Sequence, residues 1–256
     1  MTAALLKTVL VLGAVSIIGA ALPLWRSWSQ RGLHLFVSVA AGIFLGVIFL
    51  HLLPELAAGA THAGAGADDR PGAALAPWAA ALIGLVLLFF IEKIWLVGAH
   101  AGHAASGQHE HDVVWFATFI GLTVHSFATG LGYSPVASDE RLLMPFLGSI
   151  AVHQASESFS LATVMRLAGL PRLRALVPLG VYCLATPVGL LVGARFTVGT
   201  DGVSPLLTGL ACGTFLYVAV GNLLPEVFHG GDHRFPRVAG LLLGLLIAVA
   251  GVAAMR

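Results

Sequence analysis

Long apolar runs with almost no charge follow one another along most of this chain, separated by short breaks marked by Gly, Pro or polar residues. A helix that crosses the hydrocarbon layer of a bilayer needs about 20 mostly apolar residues. The 256 residues hold eight segments of that kind, at 3–24, 33–58, 77–98, 113–135, 142–166, 173–196, 204–228 and 234–255. Charged residues make up 10% of the chain and hydrophobic ones 58%, whereas a soluble domain carries about 25% charge. Too little charge is present to coat a globule, so the expected surface faces lipid. The predicted fold is an all-α membrane protein with eight transmembrane helices in a single domain, 1–256.

A formal net charge of +1 and 13 scattered Lys and Arg residues supply no basic stripe, so nucleic acid is excluded as a partner. Cys183 and Cys212 both fall in apolar runs and read as small core residues. No small-residue cleavage signature ends the first apolar run, which therefore reads as a span. Eight spans place both termini on one side. With the termini outside, Arg26, Arg31, Arg166, Arg172, Arg174, Arg234 and Arg237 fall on the inner side, with Lys93 close to it. Lys and Arg favour the cytoplasm, so this orientation, in a plasma (inner) membrane, is the expected one. The Gly and Ala residues of the spans permit close helix packing, including packing in a homo-oligomer.

Two internal similarities organise the spans. The fourth contains Val124-His125-Ser126-Phe127-Ala128-Thr129-Gly130 and the fifth Val152-His153-Gln154-Ala155-Ser156-Glu157-Ser158. The second ends in His51-Leu52-Leu53-Pro54-Glu55 and the seventh in Asn222-Leu223-Leu224-Pro225-Glu226. Both pairs cross in opposite directions. An inverted repeat of spans 1–3 and 6–8 around spans 4–5 is expected, and transporters often hold their site near the midplane of such a repeat.

Ionisable side chains inside a span are costly and usually face a bundle interior or a wet path. His153 and Glu157, at i and i+4, share one helix face, with Gln154 on its flank. His125 and Thr129 do the same on the fourth span, with Ser126 beside them. Facing each other, the two helices offer two imidazoles, one carboxylate and several neutral oxygens. That set suits borderline dications such as Zn²⁺ and Fe²⁺ and suits Mg²⁺ or Ca²⁺ poorly. A lone membrane histidine usually serves as a helix-to-helix hydrogen-bonding residue. Two in one local pattern, joined by an i+4 glutamate, favour metal. A proton relay is the competing use of the same groups.

The segments VHSFATGL and VHQASESFSLA resemble the ZIP (Zrt-, Irt-like protein) metal transporters, one branch of which carries H-S-x-x-x-G in the fourth span and H-Q-x-x-E in the fifth. FLHLLPE, LLFFIEK, LATPVGLLVG and GTFLYVAVGNLLPE extend the resemblance over nearly the whole chain, in order. It implies an eight-helix fold moving a divalent metal into the cytoplasm, Zn²⁺ foremost, with Fe²⁺, Mn²⁺ and Cd²⁺ as further substrates. By position, His125, His153 and Glu157 would form the transport site, with Gln154 and Ser126 at its edge. Many relatives carry Asn where Ser126 stands, and carboxylates at the positions of Thr129 and Gln154; some place a glutamate at Thr186. One metal position is therefore expected rather than two. Gly130 keeps the motif glycine, while Ser158 replaces its counterpart.

His51 and Glu55 form another i, i+4 pair at the outer end of the second span, where they could collect metal. Glu226 and His229, with His233 beyond, could assist its exit. The segment 99–112, with His100, His103, His109 and His111, reads as a loop that binds metal weakly. No resident cofactor and no catalytic residue is expected, since no H-E-x-x-H motif is present. A metal exporter and a membrane-embedded metallohydrolase stay as the alternatives.

Overall fold

The computed structural model describes residues 3–25, 27–65, 72–96, 107–137, 140–196, 203–228 and 234–254. Among the described residues there are eight long helices and no strand. They are α1 (Ala3–Trp25), α2 (30–65), α3 (73–96), α4 (Gly107–Ala137), α5 (Glu140–Leu167), α6 (Arg172–Phe196), α7 (203–228) and α8 (Arg234–Ala254). The backbone of 107–112, read from the sequence as the end of a loop, is the start of α4.

Local chemistry sets the breaks. Ser29 caps α2 by accepting from the Gly32 N–H at 3.2 Å, which satisfies one of the donors that every helix start leaves open. Gly169, at φ 76°, ends α5: the Leu170 N–H bonds Met165 O at 3.0 Å and the Gly169 N–H bonds Arg166 O at 3.1 Å. That wrap needs a left-handed residue, which glycine adopts without a Cβ penalty.

Over their described residues, seven helices are long and apolar enough to cross a membrane. Helix α5 carries His153, Gln154, Ser156, Glu157, Ser158, Ser160 and Thr163, every one of them buried. Its neighbours enclose it: α1 and α2 pack along it, and α4 and α6 close the other sides. By contrast α3 and α8 are only 17% buried over their apolar windows and turn most of their surface outward.

Among the described residues, π-helical turns lie inside α2 and α7, at Ile48–Leu52 and Val218–Leu223, and at the end of α3, at Ile91–Leu96. Two of them directly precede a Leu-Pro-Glu sequence. A proline inside a helix lacks an N–H and its ring collides with the carbonyl four residues back. A wider turn before Pro54 and Pro225 removes that collision while the neighbouring amides stay bonded: Leu53 N–H reaches Ile48 O and Leu224 N–H reaches Ala219 O.

Four helix pairs dominate the packing: α1 with α5, α4 with α6, α2 with α8, and α3 with α7. Each meets at small residues. A Cβ on Gly130 would strike the Thr186 carbonyl and one on Gly189 the Phe127 carbonyl. Gly42 lies against the Leu241 carbonyl, and Gly213 against that of Ala81. On α1, Gly19 makes room for Ser158, so the serine that replaces a motif glycine is accommodated by a glycine on the facing helix. Such contacts let backbones approach where lipid tails offer no hydrophobic drive to associate. At the centre, Phe44 of α2 stacks on Phe215 of α7 with centroids 4.4 Å apart.

Candidate metal centre

The π-flanked α7 and the polar α5 meet α4 and α6 around one buried cluster. His125 of α4 and His153 and Glu157 of α5 bring one ligand atom each to within 4.8 Å of the others. The two Nε2 atoms are 3.2 Å apart. Glu157 Oε1 lies 3.3 Å from His125 Nε2 and 2.6 Å from His153 Nε2. Zinc bonds of about 2.0–2.2 Å in tetrahedral geometry separate neighbouring ligand atoms by about 3.3 Å, so two of the three spacings already match the edges of such a site. The third is a hydrogen-bond distance, which a metal ion between the two groups would lengthen.

The surroundings hold these groups unequally. His125 Nδ1 sits 2.8 Å from the Ala211 carbonyl of α7, so Nδ1 carries the proton and Nε2 presents its lone pair to the cluster. Carbonyl partners of this kind orient metal-binding histidines. Phe215 stacks on the His125 ring at 4.4 Å and lies 5.0 Å from that of His153. His153 Nδ1 has no hydrogen-bond partner among the described residues, which leaves that ring the more adjustable ligand. Glu157 is completely buried. Its Oε2 accepts from Ser126 Oγ at 2.8 Å and from the Tyr182 hydroxyl of α6 at 2.7 Å.

Of the edge residues, Ser126 thus acts on Glu157. Gln154 is turned toward α6, where its Oε1 accepts from Thr186 Oγ1 at 3.1 Å. Thr129 Oγ1 stands 3.4 Å from His125 Nε2. No second carboxylate joins the cluster among the described residues.

The peripheral pairs are arranged differently. His51 and Glu55 approach to 3.9 Å and are both about one-third exposed, 37% and 36%. Glu226 is buried and stands 3.8 Å from His34 of α2, a histidine that sequence reading passed over although it lies one turn inside the helix. Residues His100, His103, His229 and His233 lie outside the described residues, as do the side chains of His109 and His111. Tyr182, Phe215 and the Ala211 carbonyl were also missed. Only Tyr182 left a signal, because it precedes Thr186 by four residues and shares its face. Glu92 is buried and pairs with Lys93 at 2.6 Å, the lysine reaching outward.

A family profile described as ZIP Zinc transporter matches residues 2–114 and 98–256. The chain is similar to zinc transporter ZIP9-A of Xenopus laevis, 28% identical over 94% of this chain and 86% of that protein. It is similar to zinc transporter ZIPB of Bordetella bronchiseptica, 28% identical over 92% of this chain and 74% of that protein. To zinc transporter ZIP1 of Takifugu rubripes it is 30% identical, over 53% of this chain and 46% of that protein. With profile matches running from one end of the chain to the other, the chain belongs to the ZIP zinc transporter family.

Proposed function

We infer that this protein carries divalent transition-metal ions, Zn²⁺ first among them, across a plasma (inner) membrane into the cytoplasm through the site between α4 and α5. The observation that carries the reading is the convergence of His125 Nε2, His153 Nε2 and Glu157 Oε1. Two imidazoles and one carboxylate select borderline dications. A single formal negative charge and only three protein ligands hold the ion less firmly than a closed structural site, so it can leave. The metal is cargo rather than a resident cofactor, and the reading assigns no enzymatic step.

Support for an inverted repeat comes from the packing. Exchanging α1 with α6, α2 with α7, α3 with α8 and α4 with α5 turns the α4–α6 contact into α5–α1, and α2–α8 into α7–α3. These are the four dominant pairs. The same exchange relates Gly130 against α6 to Ser158 against Gly19. It also relates the two π turns before Leu-Pro-Glu. The register that aligns His51 with Asn222 aligns Phe44 with Phe215, the pair stacked at the centre. In this reading α5 is the remaining span, crossing inside a ring of more apolar helices, and both termini lie outside.

The close pairs also define two blocks, α1, α4, α5 and α6 against α2, α3, α7 and α8. All three metal ligands ride on the first block. Alternating access then moves that block past Phe44 and Phe215, and each cycle must release His125 from the Ala211 carbonyl. His51 and Glu55 would receive metal on the outer side, with Glu226 and His34 at the inner end. His229, His233 and the His-rich segment would take it onward.

Uptake into proteoliposomes tests the reading directly. Zn²⁺ should enter, Fe²⁺, Mn²⁺ and Cd²⁺ should compete, and Mg²⁺ in excess should not. Equal transport of Mg²⁺ would contradict the ligand argument, and strict efflux from cells would contradict the direction.

A further inference from the structure

The geometry points to Tyr182 as a metal-specificity residue: by occupying Glu157 Oε2 together with Ser126, it confines the carboxylate to one ligating oxygen and so keeps the site small enough to favour Zn²⁺ over larger dications. This rests on the proposed transport site. A carboxylate oxygen offers two in-plane lone pairs. On Oε2 they are met by two hydroxyl donors from two different helices, Tyr182 at 2.7 Å and Ser126 at 2.8 Å. Both distances are typical of a well-formed O–H···O hydrogen bond. Tyr182 is fully buried, as are Ser126 and Glu157, so no solvent exchange loosens the arrangement. Oε1 faces the two histidine Nε2 atoms. Glu157 therefore reaches a bound ion through Oε1 alone.

The consequence is a coordination number. Two nitrogens and one oxygen, with a fourth position for water or for the incoming group, form the tetrahedral shell that Zn²⁺ adopts. Mn²⁺ prefers octahedral oxygen-rich shells, and Ca²⁺ takes 6–8 oxygens with carboxylates often bidentate. A free Oε2 would add a ligand and relax the preference. Neutral Gln154 and Thr186, bonded to each other, add no carboxylate in its place.

Tyr182→Phe removes one hydroxyl and keeps the ring that packs among α4, α5 and α6. Ser126→Ala frees the same oxygen from the other side, so a folding failure of one variant leaves the other informative. The full chain, purified and reconstituted, is loaded with Zn²⁺ or Cd²⁺ for X-ray absorption and assayed for competitive uptake. Wild-type protein should hold Zn²⁺ in a four-coordinate N/O shell. In the variants the Cd²⁺ shell should gain an oxygen, and the Cd²⁺-to-Zn²⁺ uptake ratio should rise about tenfold, the low end for losing a hydrogen bond to a charged group. A shell and a ratio both unchanged in Tyr182→Phe and in Ser126→Ala would overturn the inference. Wild-type protein that neither binds nor carries Zn²⁺ would instead overturn the transport reading on which it rests.

Discussion

Replacing Glu157 with glutamine lowers Zn²⁺ uptake by more than about 100-fold, beyond the 10–100-fold cost of losing a mere outer-shell partner. Glu157 supplies the only carboxylate of the buried cluster among the described residues and is wholly buried. Glutamine keeps a carbonyl oxygen for Ser126 and Tyr182 to donate to, so the variant still folds. What it lacks is the negative charge that offsets a dication taken out of water, where an unpaired charge costs several kcal/mol or more. Glu157→Asp preserves the charge but withdraws it by one methylene from both imidazoles, and should retain partial uptake. Radiolabelled zinc influx into proteoliposomes, alongside thermal melting of the purified variants, separates the two. Wild-type influx in Glu157→Gln would sink the site.

The second large effect concerns folding. Gly213→Val should prevent accumulation of the folded protein, or lower its melting temperature by roughly 5 °C or more, because overpacking against a contact that cannot yield costs at least about 1–3 kcal/mol. The Cβ at this position would overlap the Ala81 carbonyl, carbon and Cα atoms together. These are backbone atoms of α3, so no rotamer change makes room. Gly84 on the facing helix meets the Leu210 carbonyl in the same seam, which fixes the separation of α3 and α7 from both sides. Gly132→Ala is the matched control. Nothing lies within 4 Å of its Cβ position, and alanine exceeds glycine in helix preference by about 1 kcal/mol. Its melting temperature should hold or rise. A Gly213→Val protein as stable as wild type would show that α3 and α7 do not pack this closely.

The convergence of His125, His153 and Glu157 was legible because helical geometry is local. A four-residue spacing puts His153 and Glu157 on one face whatever surrounds them, and the matching pattern at His125 pointed to the facing helix. The third spatial dimension was not legible. Tyr182 reaches Glu157 only because α6 packs on α4 at Gly130 and Gly189. Nothing in a run of apolar residues tells Phe215 from its neighbours as the ring that stacks on His125. Hydropathy also understates α5, since a helix buried by protein need not be apolar toward lipid. The Leu-Leu-Pro-Glu repeat marked where two helices change winding, yet the π turns themselves depend on which carbonyl the proline ring must avoid. The pairing of Glu226 with His34 required the antiparallel placement of α2 and α7, which spacing alone does not convey.

The polarity of α5 bears on how the chain enters the bilayer. A segment carrying His153, Gln154 and Glu157 at its middle is a poor candidate for release into lipid by itself, since a charged residue at mid-helix disfavours insertion by about 2.5–3.5 kcal/mol. Both helices that pack along one side of it, α1 and α2, and α4 beside them, are made earlier in the chain. They can shelter α5 as it emerges, and α6 then closes the last face by delivering Tyr182 to Glu157. The order of the helices along the chain therefore permits an assembly sequence in which the most apolar segments arrive first and the polar α5 is inserted into a niche already prepared for it.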